Sequence, residues 1–155
     1  MRIGLGYDAH AFVAGRPLFL GGLRIAHDRG LLGHSDGDVL LHAISDSILG
    51  AAGEDDIGVH FPNTDKGIEG IESARILARA AELARMRGYE IVNVDAVIVA
   101  EAPRIQPYRE EMRANIARIM AVDVARISIK GKTTEGMGFA GRREGIESYA
   151  VCLLE

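Results

Sequence analysis

Residues 2–10 read Arg2-Ile3-Gly4-Leu5-Gly6-Tyr7-Asp8-Ala9-His10, and their alternation organises the rest of the chain. A strand turns successive side chains to opposite faces, so Gly4, Gly6, Asp8 and His10 share one face while Ile3, Leu5, Tyr7 and Ala9 line the other. Asp8 and His10 therefore project together. His42 lies on what reads as the first helix, just after His34-Ser35-Asp36-Gly37-Asp38. Three nitrogen and oxygen donors from separate elements make an incomplete tetrahedron, the arrangement by which a catalytic zinc keeps one position open. The competing reading is that these are unrelated surface or core side chains.

Outward from this stretch, hydrophobic periodicity gives strands alternating with helices. The opening strand covers roughly residues 2 to 12, and a short hairpin follows between Pro17 and Arg24 with Gly21-Gly22 at its turn. In the first helix, from Asp38 to about Ala51, Leu40, Ala43, Ile44, Ser47 and Ile48 recur on one stripe. Asp38, His42 and Asp46 fall opposite, which puts His42 on a polar face. Gly53 to Gly70 lacks periodicity and reads as a long irregular loop, a type of segment that is often functional. A second helix, about Glu72 to Arg87, turns Ile76, Leu77, Ala80, Ala81 and Ala84 inward, stops at Gly88 and looks purely structural. A β-branched strand over Glu90–Val99 follows. Pro107 starts a third helix to about Met120 that buries Tyr108, Met112, Ile116 and Ile119, and strands near Arg126–Lys130 and Ile146–Leu154 complete the pattern. The expected fold is α+β, a single domain over residues 1–155: a mixed sheet of about four strands plus the hairpin, with about three helices on one face.

A length of 155 residues suits one domain with a substantial core. The formal net charge of −4 argues against a nucleic-acid or anionic-membrane partner, so any phosphate ligand must be met by local groups. The single Cys152, among apolar residues, reads as a buried strand residue; with no second cysteine there is no intramolecular disulfide, which fits a reducing compartment. No signal-like or bilayer-spanning apolar run is present, and the expected location is cytoplasmic.

Around the Asp8, His10, His42 group, several residues suggest chemistry. Asp46, one turn beyond His42, is either an acceptor that fixes the imidazole tautomer or a solvated helical carboxylate. Ser35 or Asp36 reads as the N-cap of the first helix, and the free amides there, with His34 and Ser35, suit an anionic substrate. The stretch Asp56-Ile57-Gly58-Val59-His60-Phe61-Pro62-Asn63-Thr64-Asp65 is either turn chemistry or polar groups beside an exposed Phe, fit for a small polyol. Lys132, Thr133, Thr134 and Glu135, in the glycine-rich run Gly131–Arg142, combine phosphate donors with a carboxylate. Glu and phosphate repel, and a bridging magnesium resolves that conflict.

Taken together, Gly-Tyr-Asp-Ala-His from Gly6, His-Ser-Asp-Gly-Asp-Val-Leu-Leu-His-Ala from His34, the Asp56–Asp65 loop, Ala-Glu-Ala-Pro from Ala100, and Thr-Thr-Glu with Gly-Phe-Ala-Gly-Arg from Thr133 resemble the 2-C-methyl-D-erythritol 2,4-cyclodiphosphate synthase family. The resemblance implies that Asp8, His10 and His42 hold zinc. It implies that Glu135 holds magnesium or manganese, and that His34 and Thr133 stabilise the transition state. By the same resemblance, Asp8, His10, His34, Ser35, Asp56, Ile57, Gly58, Phe61, Pro62, Asn63, Thr64, Asp65, Phe139 and Arg142 contact the substrate. Ala100, Glu101, Ala102, Pro103, Arg104, Ile105 and Gln106 would hold cytidine and its phosphates, together with Lys132, Thr133, Thr134 and Glu135. The implied assembly is a homotrimer with sheets around a central axis, active sites between subunits and a central cavity where Arg142 is a candidate clamp for an isoprenoid diphosphate. Asn63, Tyr7 and Lys132 depart from the family pattern without removing a metal ligand. On residue types alone, a zinc phosphoesterase and a non-catalytic isoprenoid-diphosphate sensor with structural zinc are the competing readings.

Overall fold

Two glycines set how closely the first helix approaches the first strand. The computed structural model describes residues 1–62, 64 and 70–155. In it, β1 (Arg2–Ala14) runs beneath α1 (Val39–Ala52). A Cβ on Gly4 would lie 2.0 Å from the Ser47 carbonyl oxygen, and one on Gly6 would lie 1.9 Å from that of Ala43. The two backbones therefore touch, with no side chain between them. Gly4, Gly6, Asp8 and His10 do share the helix-facing side, while Ile3, Leu5 and Tyr7 point away and are exposed.

Between β1 and α1 lie a hairpin of β2 (Leu18–Leu20) and β3 (Leu23–Ile25), turned at Gly21-Gly22, and the short β4 (Arg29–Leu31). After α1 come α2 (Ile57–His60), α3 (Ser73–Met86), β5 (Ile91–Val99), α4 (Arg109–Met120), β6 (Ile127–Lys132), α5 (Gly138–Gly141) and β7 (Gly145–Leu154). The main sheet has five strands in the order β4-β1-β7-β5-β6, against about four expected from the sequence. The extra strand, β4, is three residues with a central glycine and carries no periodic signal. Only β5 and β6 are parallel, and α4 lies in the crossover that parallel pairing requires. Two further differences are the single-turn helices α2 and α5, which lie in stretches expected to be irregular. Pro107 sits in a separate 3-10 turn, Gln106–Tyr108, before α4 begins, and Tyr108 and Ile119 are half-buried rather than buried.

The expected polar face of α1 does not exist. Within the helix only Asp46 and Gly50 escape full burial, because β1 and β7 cover one side and α3 another. His42 is 6% exposed and Asp38 is 0% exposed. Nor is the N-cap Ser35 or Asp36: Asp38 caps α1 by accepting from the Leu41 N–H. The same carboxyl accepts from the Gly21 and Gly22 N–H groups at 3.0 and 2.6 Å, tying the hairpin turn to the helix. Burial pushes the Asp38 carboxyl pKa up, against those donors, which favour the ionised form. Cys152 is fully buried, as expected, and burial pushes its thiol up to about 12.

On the outer face of the sheet, the register pairs Ile3 with Leu153, Leu5 with Val151 and Tyr7 with Tyr149. Ile3 and Leu5 are 72% and 69% exposed, so an apolar patch faces outward. Among the described residues no helix is long and apolar enough to cross a membrane.

Because the Gly6 Cβ position coincides with helix backbone, Gly6→Ala must lever α1 off β1. Urea denaturation should show a loss of about 3 kcal/mol or more, at the upper end of overpacking costs. A loss under about 1 kcal/mol would mean that the helix has room to move.

Candidate metal centre and phosphate-binding surface

Asp8 and His10 come from β1, and the close approach of α1 brings His42 down onto them. The Asp8 Oδ2 lies 2.8 Å from His10 Nε2 and 2.9 Å from His42 Nδ1, and the two nitrogens are 3.1 Å apart. Among the described residues this is the one cluster of at least three potential metal-ligating His, Cys, Asp or Glu side chains. The triangle has edges close to the roughly 3.3 Å that bonds of about 2.0–2.1 Å impose on a tetrahedral zinc face. The donors, two imidazoles and a carboxylate, suit a divalent ion with one open position.

Hydrogen bonding identifies the nitrogen that faces inward. His10 Nδ1 meets the Leu32 carbonyl, which only accepts, so that nitrogen carries a proton and Nε2 is the one that faces Asp8. On His42, Nδ1 faces the triangle while Nε2 lies 3.1 Å from Ser35 Oγ and 2.9 Å from Ser73 Oγ. Asp46, read as the group that fixes this imidazole, accepts instead from the Ile57 N–H at 2.9 Å. Burial pushes the Asp46 carboxyl up, only partly offset by that bond. At Asp8 burial also opposes ionisation, but hydrogen bonds and charge from both histidines outweigh it and hold the carboxyl well below the usual range. Burial would lower His10, yet the hydrogen bond and charge of Asp8 and the Leu32 carbonyl raise it. Two imidazole nitrogens and a carboxylate oxygen thus converge on one point, an arrangement that fits a divalent cation.

Further along, the segment after β4 is tied down from two sides. Arg16 donates to the Gly33 and Ser35 carbonyls at 2.8 and 2.6 Å, and the Gly70 N–H donates to the His34 carbonyl at 2.9 Å. Ser35 is buried beside His42, whereas His34 is exposed. Asp56 caps α2, which contains Ile57 and Gly58; Phe61 is half-buried rather than exposed, while Pro62 and Thr64 are exposed. Asn63 and Asp65 lie outside the described residues.

The phosphate-binding candidates gather at the β5–β6 edge of the sheet. A cavity of about 450 Å³ is lined by Ala100, Glu101, Pro103, Arg104, Ile105, Gln106, Lys132 and Thr133 among others. Glu101 Oε1 accepts from the Thr134 and Gly136 N–H groups at 3.1 and 3.3 Å, shaping the loop. Thr133 donates to Glu135 at 2.6 Å, and Glu135 is held at φ 52°, a conformation that non-glycine residues seldom adopt. Phe139 is half-buried in α5, and Arg142 donates to both oxygens of Glu144 at 2.8 and 3.1 Å. The register runs Asp8 to Ser148 to Ile98 to Gly131, so cavity and triad lie three strand spacings apart, about 14 Å at about 4.8 Å each. The residues read as one site therefore form two clusters within the chain.

Sequence reasoning passed over Ser73 and Arg16. Ser73 opens a helix whose apolar stripe is ordinary, and only its position directly after the loop hinted at more. Arg16 precedes the hairpin and gave no signal.

The YgbB family model matches residues 1–155. Over 155 residues the chain is 57% identical to the 2-C-methyl-D-erythritol 2,4-cyclodiphosphate synthase of Geotalea uraniireducens, covering 100% of this chain and 99% of that one. It superposes with a TM-score of 0.91 and 37% identity on a solved 2C-methyl-D-erythritol-2,4-cyclodiphosphate synthase in its CDP-bound form, covering 99% of this chain and 100% of that one. A CDP complex of the Plasmodium falciparum protein named IspF gives 0.87 and 40%, covering 99% and 94%.

Removing one corner of the triangle should remove the ion. In chelator competition, His10→Ala is expected to weaken zinc binding by more than about a hundredfold, since changes to the outer partners of metal ligands alone cost 10- to 100-fold. Unchanged affinity would place the ion elsewhere.

Proposed function

The chain belongs to the YgbB family, and from that premise we propose that it is a 2-C-methyl-D-erythritol 2,4-cyclodiphosphate synthase of isoprenoid biosynthesis, a cyclising lyase. Its substrate is 4-diphosphocytidyl-2-C-methyl-D-erythritol 2-phosphate. An oxygen of the 2-phosphate attacks the β-phosphorus, the bond from that phosphorus to the bridging oxygen of the α-phosphate breaks, and CMP leaves with the bond's electrons. The observation that carries this reading is the Asp8, His10, His42 triangle on a fold shared over the whole chain with CDP-bound relatives.

The nucleophile is already an anion, so a strong base is unnecessary and catalysis rests on alignment and charge. A zinc ion held by Asp8, His10 and His42 supplies a Lewis-acidic charge that orients and polarises a diphosphate oxygen. Exposed His34 donates to the transferring phosphoryl group. Thr133, whose hydroxyl rests on Glu135, would do the same, and Glu135 would hold a magnesium or manganese ion that supplies positive charge to the phosphates. Ser35, Asp56–Gly58 and Phe61–Asp65 hold the methylerythritol. The Ala100–Gln106 and Lys132–Glu135 segments hold cytidine and its phosphates, with Phe139 and Arg142 as further contacts.

The separation of cavity and triad across the sheet supports an active site assembled from two copies. We infer a homotrimer in which the outward apolar face, Ile3, Leu5, Tyr7, Tyr149 and Val151, packs around the central axis. In that assembly Arg142 faces a central cavity suited to an isoprenoid diphosphate.

Phosphorus NMR with this substrate is expected to show CMP and the cyclic diphosphate only when zinc and magnesium are both present. Inorganic phosphate as the product would make the protein a phosphoesterase instead, and binding without turnover by metal-replete protein would make it a sensor. Light scattering should give three times the 16.7 kDa chain mass. Leu5→Glu should yield monomers and abolish turnover together; a fully active monomer would overturn the shared site.

A further inference from the structure

Ser73 is 0% exposed, and a buried hydroxyl needs its hydrogen bonds satisfied. It opens α3, but the residue at that helix's cap position, Glu72, makes no capping side-chain bond. Asp36, from the segment before α1, does so instead: its Oδ2 accepts from the Ser73 N–H at 3.1 Å, and its Oδ1 forms a short hydrogen bond with Ser73 Oγ. The same Ser73 Oγ lies 2.9 Å from His42 Nε2.

A serine hydroxyl has a single proton. A carboxylate only accepts, so the Ser73 proton points to Asp36, and Ser73 Oγ must then accept from His42. This contact favours the tautomer with the proton on Nε2 and Nδ1 open to an ion, whereas Asp8, whose Oδ2 lies 2.9 Å from Nδ1, draws the proton to Nδ1 until an ion takes its place. Nδ1 is the nitrogen that faces Asp8 Oδ2 at 2.9 Å and His10 Nε2 at 3.1 Å. Ser35 Oγ, 3.1 Å from His42 Nε2, cannot enforce this alone. It accepts from the Gly37 N–H at 3.1 Å and has no carboxylate to take its proton, so it is free to donate to Nε2 and permit the opposite tautomer.

We propose that Ser73, oriented by Asp36, is a positioning residue for the metal centre, fixing His42 in the tautomer whose Nδ1 is open to the ion. The inference rests on the metal reading of Asp8, His10 and His42. It also ties that centre to residues 70–71, because the Asp36 N–H donates to the Ile71 carbonyl and the Gly70 N–H donates to the His34 carbonyl just before Ser73. The first turn of α3 thus serves the site rather than the fold alone.

The test uses full-length protein labelled with nitrogen-15 in histidine, with zinc affinity by chelator competition and thermal melts as a control on folding. In zinc-loaded wild type, the His42 ring shifts should report a protonated Nε2 and an Nδ1 on the ion. Ser73→Ala should shift the His42 Nε2 signal and weaken zinc binding by about 10- to 100-fold, and Ser73→Thr, which keeps the hydroxyl, should recover most of both. Asp36→Asn, nearly equal in volume, should shift both readouts the same way. A wild-type Nε2 signal and affinity in Ser73→Ala would overturn the relay alone, as would equal losses in the Ala and Thr variants. A wild-type chain with no zinc affinity would remove the metal reading and the relay with it.

Discussion

At Gly4 and Gly6 the backbone of β1 lies directly against the backbone of α1, and every functional distance around the metal centre depends on that contact. A strand and a helix normally meet through two layers of side chains. Here the layer is missing on the strand's side over two successive inward positions, and the helix settles low enough for a histidine on its next turn to reach residues 8 and 10. Hydrophobic burial supplies the force: the helix is covered nearly all round by β1, β7 and α3. The glycines supply the geometry. An alanine at either position would keep the fold class and lose the triangle.

Much of this was legible because strand periodicity is strict. With residues 2–10 as a strand, the shared face of Gly4, Gly6, Asp8 and His10 follows, and the structure bears it out. The polar face of α1 was misread for a related reason. Asp38, His42 and Asp46 repeat at spacings of four and look like a solvated stripe, yet Asp38 is a buried cap for both the helix and a hairpin turn, and His42 is buried against β1. Polarity in a helical repeat does not distinguish groups facing water from groups facing one another. Short elements such as β4 and α2 escaped because three or four residues cannot display a period, and their formation depends on neighbours distant in sequence.

Several of the polar residues act in series rather than singly. Arg16 fixes the carbonyls of Gly33 and Ser35; Asp36 pins the start of α3; Ser35 and Ser73 meet the outward nitrogen of His42. Each link spans segments far apart in the chain, so no local motif announces it. The motif around His34 thus combines an exposed histidine with residues that hold the His42 side chain in place.

The layout of the sheet underlies the proposal of a site shared between copies. Asp8 and the residues lining the β5–β6 cavity sit at the same height on the sheet but on strands separated by β7 and β5, with α1 packed over the interval. A substrate running from cavity to triad within one chain would have to pass through that helix. In the proposed trimer, packing the outward apolar face against symmetry mates would remove it from water and bring the edge of one sheet beside the triad of the next. Assembly and catalysis would then depend on the same surface, and the outward leucine and isoleucine of β1 would belong to the active site's construction as much as the inward aspartate and histidine.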